Sequence, residues 1–242
     1  MTYLRLELLR TIRNGRFFVF SLGFPVILYA ILAGSTRDVT NFGGSGISAP
    51  LYYMTGLVSF GTMAAVLGVG ARISAERQAG WNRQLRLTPL PVRAYMAGKV
   101  AGGYLMALLS IALLYGLGIG YGVRLSAPKW FEMTGLILVA LIPFAIFGVA
   151  LGHLLTVDSM GPAMGGMTAL FAFLGGTWFP ITGGGFLADL GQSLPSYWLV
   201  QAGRVALGGS AWGSHGWTVI AVWTAAAAVL AARAYQRDTR RI

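Results

Sequence analysis

Apolar residues form six long stretches along the chain, and short polar segments separate them. A helix needs roughly 20 mostly apolar residues to cross a bilayer, and the middle four stretches reach this length. The first and the last stretch are shorter and need flanking residues to span. The pattern predicts a single all-α membrane domain over residues 1–242 with six transmembrane helices. The predicted spans are Phe17–Ala33, Tyr52–Ile73, Met96–Val123, Phe131–Leu155, Met160–Phe179 and Trp217–Ala232.

Basic residues lie mostly on one side of this predicted bundle. With an even number of spans, the N-terminal segment, the segment after the second span and the C-terminal segment share a side. The positive-inside rule assigns that side to the cytoplasm, so both termini are predicted to be cytoplasmic. The three segments hold Arg5, Arg10, Arg13 and Arg16, then Arg72, Arg77, Arg83, Arg86, Arg93 and Lys99, then Arg233, Arg237, Arg240 and Arg241, whereas the opposite side holds only Arg37, Arg124, Lys129 and Arg204.

The composition agrees with a membrane protein and narrows its partners. Charged residues make up 10% of the chain and hydrophobic residues 56%, whereas soluble domains carry about 25% charged residues. The net charge of +11 would suggest nucleic acid in a soluble protein. Here the bases cluster at helix ends, so we expect them to meet anionic lipid headgroups, and we expect no nucleic-acid partner. The absence of cysteine and the presence of only two histidines predict no metal site.

The first 14 residues predict a helix that lies in the membrane interface. Leu4, Leu8, Leu9 and Ile12 recur at helical spacing, and the charged side chains fall largely on other faces. Such an amphipathic helix suits the cytoplasmic surface of the bilayer. A plain basic tail is the alternative.

Residues 181–216, before the last span, contain many apolar and aromatic residues but are broken by glycine and proline. They are too apolar for a solvated loop and too interrupted for a span. Short re-entrant or interfacial helices on the external side fit this pattern.

The predicted cytoplasmic segment 74–91 contains several residues that typically start or end helices. Gly80 is placed to end the helix that leaves the second span, Asn82 can cap a short helix over Arg83–Leu87, and proline residues stop that helix. Such a helix displays Leu85 and Leu87 beside arginine, as docking elements do. An ordinary basic loop would explain the arginines but not the leucines.

At this segment the chain resembles the permeases of ABC-2 type transporters. The resemblance rests on the run Glu76…Gly80…Leu85…Thr88-Pro89-Leu90…Tyr95…Lys99 and on the segment from Phe179-Pro180 to Arg204. The interfacial helix, the six spans and the length also agree, so the resemblance covers essentially the whole chain. Trp81 departs from the small residue that more often follows the glycine in that family.

The resemblance implies a membrane subunit that pairs with a second copy or a paralogue and docks a separate ATPase subunit. It implies export of a drug, antibiotic or lipid-like solute across a bacterial inner membrane. The chain lacks a Walker A loop, so ATP and magnesium are expected on the partner and no cofactor on this chain. The residues implied in coupling to the ATPase are Glu76, Gly80, Arg83, Leu85, Leu87, Thr88 and Pro89.

Aromatic and methionine side chains of the first, second and fifth spans are candidates for the substrate path, because soft side chains suit a promiscuous apolar route. His153 and Asp158, at the cytoplasmic end of the fourth span, are interpreted as hydrated residues rather than functional ones. The path candidates are Phe24, Tyr29, Phe60, Met63, Met164 and Phe171.

Two other classes of function match parts of the sequence. A stand-alone ion-coupled carrier is the main alternative, although carriers of that class need ionisable residues or broken helices near the midplane, and the predicted spans hold almost no charge. An intramembrane serine enzyme would need Ser45 of Gly43-Gly44-Ser45-Gly46 to meet a base, and His153 lies on the other side of the membrane in this topology.

Overall fold

The computed structural model describes residues 2–13, 22–42, 47–81, 84, 87–88, 90–178, 185–208 and 212–240. This part of the chain is built of α-helices joined by turns and has no β-strand. A 3-10 turn, Val205–Leu207, follows the ninth helix. The helices are α1 (Thr2–Arg13), α2 (Phe24–Ser35), α3 (Ala49–Leu67), α4 (Val69–Gln78), α5 (Val92–Gly120), α6 (Ala127–Leu154), α7 (Val157–Leu174), α8 (Phe186–Gln192), α9 (Pro195–Arg204) and α10 (Ser214–Arg240).

Four helical segments among the described residues are long and apolar enough to cross a membrane. They are Ala49–Gln78, which joins α3 and α4, then Ala94–Gly120, Ala127–Leu154 and Ser214–Asp238. The apolar helix α2 is shorter, and residues 14–21 before it lie outside the described part. Helix α7 is not among the four. A multi-pass helical protein is confirmed, and the count of six spans stays a prediction.

Helix α3 lies at the centre of the bundle and α10 at its edge. Most of the apolar part of α3 is buried, 83% of its residues, against 22% for α10. A helix that is apolar on all faces belongs inside a bundle, and α3 accordingly contributes Met54, Leu57 and Met63 to the core. Helix α5 packs along α3, while α6 contacts α3, α4, α9 and α10.

Glycines allow α6 to approach α3 and α4 closely. A Cβ atom on Gly148 would lie 2.9 Å from the carbonyl oxygen of Leu67, and one on Gly152 would lie 2.7 Å from the Cβ of Ile73. Glycines spaced by four residues are used in this way in membrane helices. The pair Gly148 and Gly152 therefore serves packing within the protomer.

Helix α4 ends where the sequence predicts. Its last residue is Gln78, and Gly80 follows with φ +71°, a left-handed conformation that glycine adopts at helix ends. Helix α5 begins at Val92, directly after Pro91. The predicted short helix Arg83–Leu87 falls largely outside the described residues.

Residues 185–208, before α10, contain two short helices, α8 and α9, where short helices are predicted. Helix α9 packs against α6 and α3; the Ser59 hydroxyl donates to the Leu199 carbonyl at 3.3 Å. The Arg204 guanidinium donates to the Gly176 carbonyl at 2.5 Å and lies over the Tyr52 ring. Burial lowers the pKa of Arg204, an effect that the nearby phenol groups of Tyr52 and Tyr197 oppose. The segment is therefore folded against the bundle.

Candidate functional site

Charged side chains gather at one end of the bundle, which we call the basic end. It comprises α1, the last turns of α4, α6 and α10, and the first turns of α5. Two consecutive residues at the end of α4, Glu76 and Arg77, make ion pairs with different helices. We call the two groups the Glu76 cluster (Glu7, Arg10, Glu76, Tyr95 and Lys99) and the Arg77 cluster (Arg77, His153 and Asp238).

Lys99 is the centre of the Glu76 cluster. Its ammonium nitrogen lies 2.7 Å from Oε1 of Glu7 and 2.6 Å from Oε1 of Glu76. The side chain of Lys99 has no exposed surface, and both carboxylates are buried. Charges taken out of water need close partners, so this arrangement fixes α1 and α4 to the start of α5.

Two further groups complete the shell around Glu76. Arg10 donates to Oε1 of Glu76 at 2.8 Å, and the Tyr95 hydroxyl donates to Oε2 at 3.1 Å. With Glu7 and Lys99, the cluster holds two carboxylates and two cations, and the Arg72 guanidinium lies near both carboxylates as a third cation. Burial raises the pKa of the neighbouring Tyr3 phenol, and the carboxylates of Glu7 and Glu76 raise it further, so this ring stays neutral.

Helix α1 turns its polar face toward the protein. Glu7 and Thr11, one turn apart, are buried, and Arg72 donates to the Thr11 hydroxyl. Leu6 and Leu9 are 59% and 47% exposed. The helix predicted for residues 1–14 is therefore present, and its attachment to the bundle comes from ion pairs and hydrogen bonds. Its outward leucines leave an apolar surface that a bilayer interface can cover.

The Arg77 cluster joins α4 to α6 and α10. Arg77 donates from Nε to Oδ1 of Asp238 at 2.9 Å, and from Nη1 to the carbonyls of Gly152 and Leu155 at 2.8 and 3.1 Å. The second oxygen of Asp238 lies 2.9 Å from Nδ1 of His153. The His153 ring also packs edge-on against Tyr235, with centroids 5.4 Å apart.

The expectation that His153 is hydrated is wrong. Its side chain is fully buried, because α10 continues to Arg240 and carries Asp238 and Tyr235 across it. The predicted last span stopped at Ala232, where the apolar run ends. Asp158, the other residue of that expectation, is exposed.

The residues implied in ATPase coupling have different surroundings. Glu76 is buried in its cluster, and Gly80 forms the helix end. Leu87 is 89% exposed and Thr88 is also exposed. Arg83, Leu85 and Pro89 lie outside the described residues. Among the described residues of this segment, Glu76 is buried at its start and Leu87 is exposed towards its end.

The substrate-path candidates do not form a single surface. Phe24 and Phe60 are in ring contact, with centroids 5.8 Å apart, and Phe60 also contacts Trp178 at 5.5 Å. Tyr29 and Met63 are buried in the core. Met164 and Phe171, both on α7, pack against the same core, where the Phe171 ring meets Phe144 edge-on.

An apolar groove of about 330 Å³ lies between α5, α6 and α10, next to the Arg77 cluster. Met96, Ile146, Val149, Ala231 and Tyr235 are among its lining residues. It contains none of the six path candidates. The route of a substrate therefore stays a prediction.

Sequence reasoning missed Glu7, Arg10 and Asp238 as partners in these clusters. One signal was available, since the chain has only seven acidic residues and three of them, Glu7, Glu76 and Asp238, lie in arginine-rich segments. Within the described residues, no three histidine, aspartate or glutamate side chains come together as a metal site would need. What the arrangement can do is link the ends of five helices through charge.

Comparisons with known proteins give a consistent result. The profile of a family described as ABC-2 family transporter protein matches residues 33–233. The chain is 30% identical over 195 residues to the protein named "Putative transport permease YvfS" from Bacillus subtilis (strain 168). That alignment covers 79% of this chain and 78% of the relative.

Proposed function

The chain belongs to the ABC-2 family of transporter proteins, and from this premise we propose that it is the membrane-spanning subunit of an ATP-driven exporter. A separate ATPase subunit would supply the energy, and the solute would be hydrophobic or amphiphilic, such as a drug, an antibiotic or a lipid. The name of the relative supports transport and specifies neither the solute nor the direction.

One observation carries this proposal. The segment that follows α4 starts from a helix end held by two ion clusters and presents Leu87, which is 89% exposed. An exposed leucine on a short polar segment suits docking to a protein surface. A movement of this segment would be transmitted to α1 and α5 through Glu76. It would be transmitted to α6 and α10 through Arg77.

The proposal includes a topology and an assembly. We infer six spans with both termini in the cytoplasm, α1 in the membrane interface and α8–α9 as re-entrant or interfacial helices, in a bacterial inner membrane. Two copies, or this chain and a paralogue, would form the substrate cavity between them. Phe24 and Phe60, which are in contact near the half-exposed face of α2, support an apolar wall there.

The test is purification of the tagged chain from its native membrane in mild detergent, followed by mass spectrometry of the intact complex. We expect two copies of the permease, or one copy with a paralogue, together with two ATPase subunits that carry Walker motifs. A clean oligomer without an ATPase, reproduced after cross-linking in the membrane, would contradict the proposal and favour a stand-alone ion-coupled carrier.

Docking is tested by a double substitution, Leu85→Asp with Leu87→Asp. We expect the folded permease to lose its ATPase partner, because two carboxylates would have to be buried in an apolar contact. The matched control is Phe186→Asp with Leu187→Asp, which places the same two charges on exposed apolar residues of α8. Retention of the ATPase by the double variant would contradict docking through this segment.

A further inference from the structure

The Arg77 cluster connects the segment that follows α4 (residues 79–91, here called the coupling segment) to α6 and α10. We propose that Arg77 is a positioning residue that carries the movement of this segment to α6 and α10, an inference that rests on the proposed function. None of the coupling residues implied by the family resemblance lies in this cluster.

Arg77 holds the end of α6 in a way that suits transmission of movement. The last carbonyls of a helix have no partner within it, and Arg77 donates to two of them, those of Gly152 and Leu155. A cation at this end also meets the negative end of the helix dipole. The last turn of α4 is therefore fastened directly to the last turn of α6.

Asp238 brings α10 into the same contact. One of its carboxylate oxygens binds Arg77 and the other lies against Nδ1 of His153. Helix α10 packs along α6 over much of its length. A displacement of Arg77 would therefore move the C-terminal end of α10, through Asp238, and the last turn of α6, through its carbonyl groups.

The adjacent residue Glu76 makes the same kind of connection to α1 and α5. Neighbouring residues on a helix point about 100° apart, so Glu76 and Arg77 face different halves of the bundle. A tilt or rotation of the last turn of α4 must move both halves or break one cluster. A movement of the coupling segment would thus reach α1 and α5 through Glu76, and α6 and α10 through Arg77.

The central ion pairs of the two clusters differ in exposure. Lys99 and its partners Glu7 and Glu76 are buried, and only Arg10 at the edge of that cluster is exposed. In the Arg77 cluster His153 is buried, but the paired side chains of Arg77 and Asp238 are 26% and 13% exposed. Water can replace a partner at the Arg77 cluster at lower cost than at a fully buried charge. The Arg77 cluster can therefore break and form again, and α6 and α10 move with the coupling segment only while it is formed.

The experiment uses the complex with its co-purified ATPase in lipid nanodiscs, with and without ATP and vanadate. Hydrogen exchange is measured for three regions: residues 71–80, residues 150–156 and residues 232–240. In the unaltered complex we expect the nucleotide to change exchange in all three. In Arg77→Gln we expect the change in residues 71–80 to persist and the changes in the other two regions to be lost, at unchanged ATPase content.

Rescue separates transmission from simple stabilisation. The conservative variant Arg77→Lys keeps a cation beside Asp238 and the carbonyls of α6, and we expect it to retain the nucleotide response of residues 232–240. Arg233→Gln removes an exposed arginine of α10 and should behave as the unaltered complex. If Arg77→Gln fails to assemble, Asp238→Asn, which leaves the carbonyl contacts of Arg77 in place, carries the same test on α10.

A normal nucleotide response of residues 150–156 and 232–240 in Arg77→Gln, or in Asp238→Asn where that variant carries the test, would overturn the inference. So would a loss of protection in those regions that is equal with and without nucleotide, since this indicates a structural role alone. Failure of the proposed function gives a different result: no ATPase co-purifies, or the unaltered complex shows no nucleotide response in any region.

Discussion

Lys99 shows how a charge can be kept inside this bundle. Its ammonium has no contact with water and lies within 2.7 Å of two carboxylates from other helices. The Coulomb attraction between such groups is strong only because the site is dry, and for the same reason an unmatched member would be costly. Each residue of the Glu76 cluster therefore depends on the others.

Lys99→Met is predicted to destabilise the protein by about 3–5 kcal/mol, because it removes the buried ammonium that pairs with both Glu7 and Glu76. The measurement is the thermal unfolding midpoint of the purified protein in one detergent. Lys129→Met, at an exposed position near the start of α6, is the control and should change little. Adding Glu7→Gln to Lys99→Met should recover part of the loss, and equal effects of the two lysine substitutions would contradict the role of the cluster.

Sequence reasoning identified parts of these clusters and not their partners. Glu76 was marked by the family resemblance, and Lys99 closes the same sequence run. Glu7 lies 92 residues from Lys99, and Asp238 lies 161 residues from Arg77. Pairs so distant in sequence depend on how the helices pack, which neither periodicity nor spacing specifies.

At the scale of elements, the crossing of α6 over α3 and α4 depends on glycine. Gly148→Ala is predicted to destabilise the fold by roughly 1–3 kcal/mol, because its Cβ would lie 2.9 Å from a backbone carbonyl of α3 that cannot move freely. Gly135→Ala, on the same helix with open space around it, should be neutral or slightly stabilising. The measurement is the thermal unfolding midpoint of both variants. Equal midpoints would contradict close packing of α6 against α3 at Gly148.

The segment of α8 and α9 is held by indole groups, which gives a second prediction at this scale. Trp198, Trp212 and Trp223 each donate an N–H to a backbone carbonyl of this region, at 2.8, 3.0 and 2.8 Å. Trp212→Phe keeps a buried ring but removes one donor, at a cost of roughly 0.5–1.5 kcal/mol. We expect faster hydrogen exchange over residues 195–204.

Trp217→Phe is the control for that substitution, since the Trp217 ring packs against Trp212 but its indole makes no such hydrogen bond to a described residue. It should leave exchange in residues 195–204 unchanged. Equal exchange in the two variants would mean that ring packing, and not the indole donor, holds α9.

Helix positions followed well from hydrophobic patterning, and helix ends followed less well. Gly80 was correctly placed at the end of α4 because a left-handed residue there needs glycine. The last helix was predicted to end near Ala232 and continues to Arg240. Hydropathy stops where the apolar run stops, whereas helical hydrogen bonding continues through Tyr235 and Asp238, whose side chains are held by other helices.

At the scale of the whole molecule, the basic end gathers the charge that the composition showed only as an excess. Three of the seven carboxylates pair there with arginine and lysine. The arginines Arg5 and Arg237 are exposed, and we expect them to contact anionic lipid. Charge thus attaches helices to one another inside the bundle, and we expect the exposed arginines to set the orientation in the membrane.

The chain has no cysteine, so single cysteines report its topology without background. Six spans predict that a membrane-impermeant maleimide labels Ser35→Cys and Ser214→Cys in intact cells, and labels Gln78→Cys and Asp158→Cys only after the membrane is opened. All four positions are exposed in the protein.

Ser214 decides the number of spans, because it lies outside only if α7 crosses the membrane. Labelling of Ser214→Cys only in opened membranes would leave α7 as a non-spanning helix and place the C-terminal end of α10 outside, away from any cytoplasmic ATPase. The Arg77 cluster, which joins that end to the coupling segment, makes such an arrangement incompatible with this fold, so we expect Ser214→Cys to be labelled from outside.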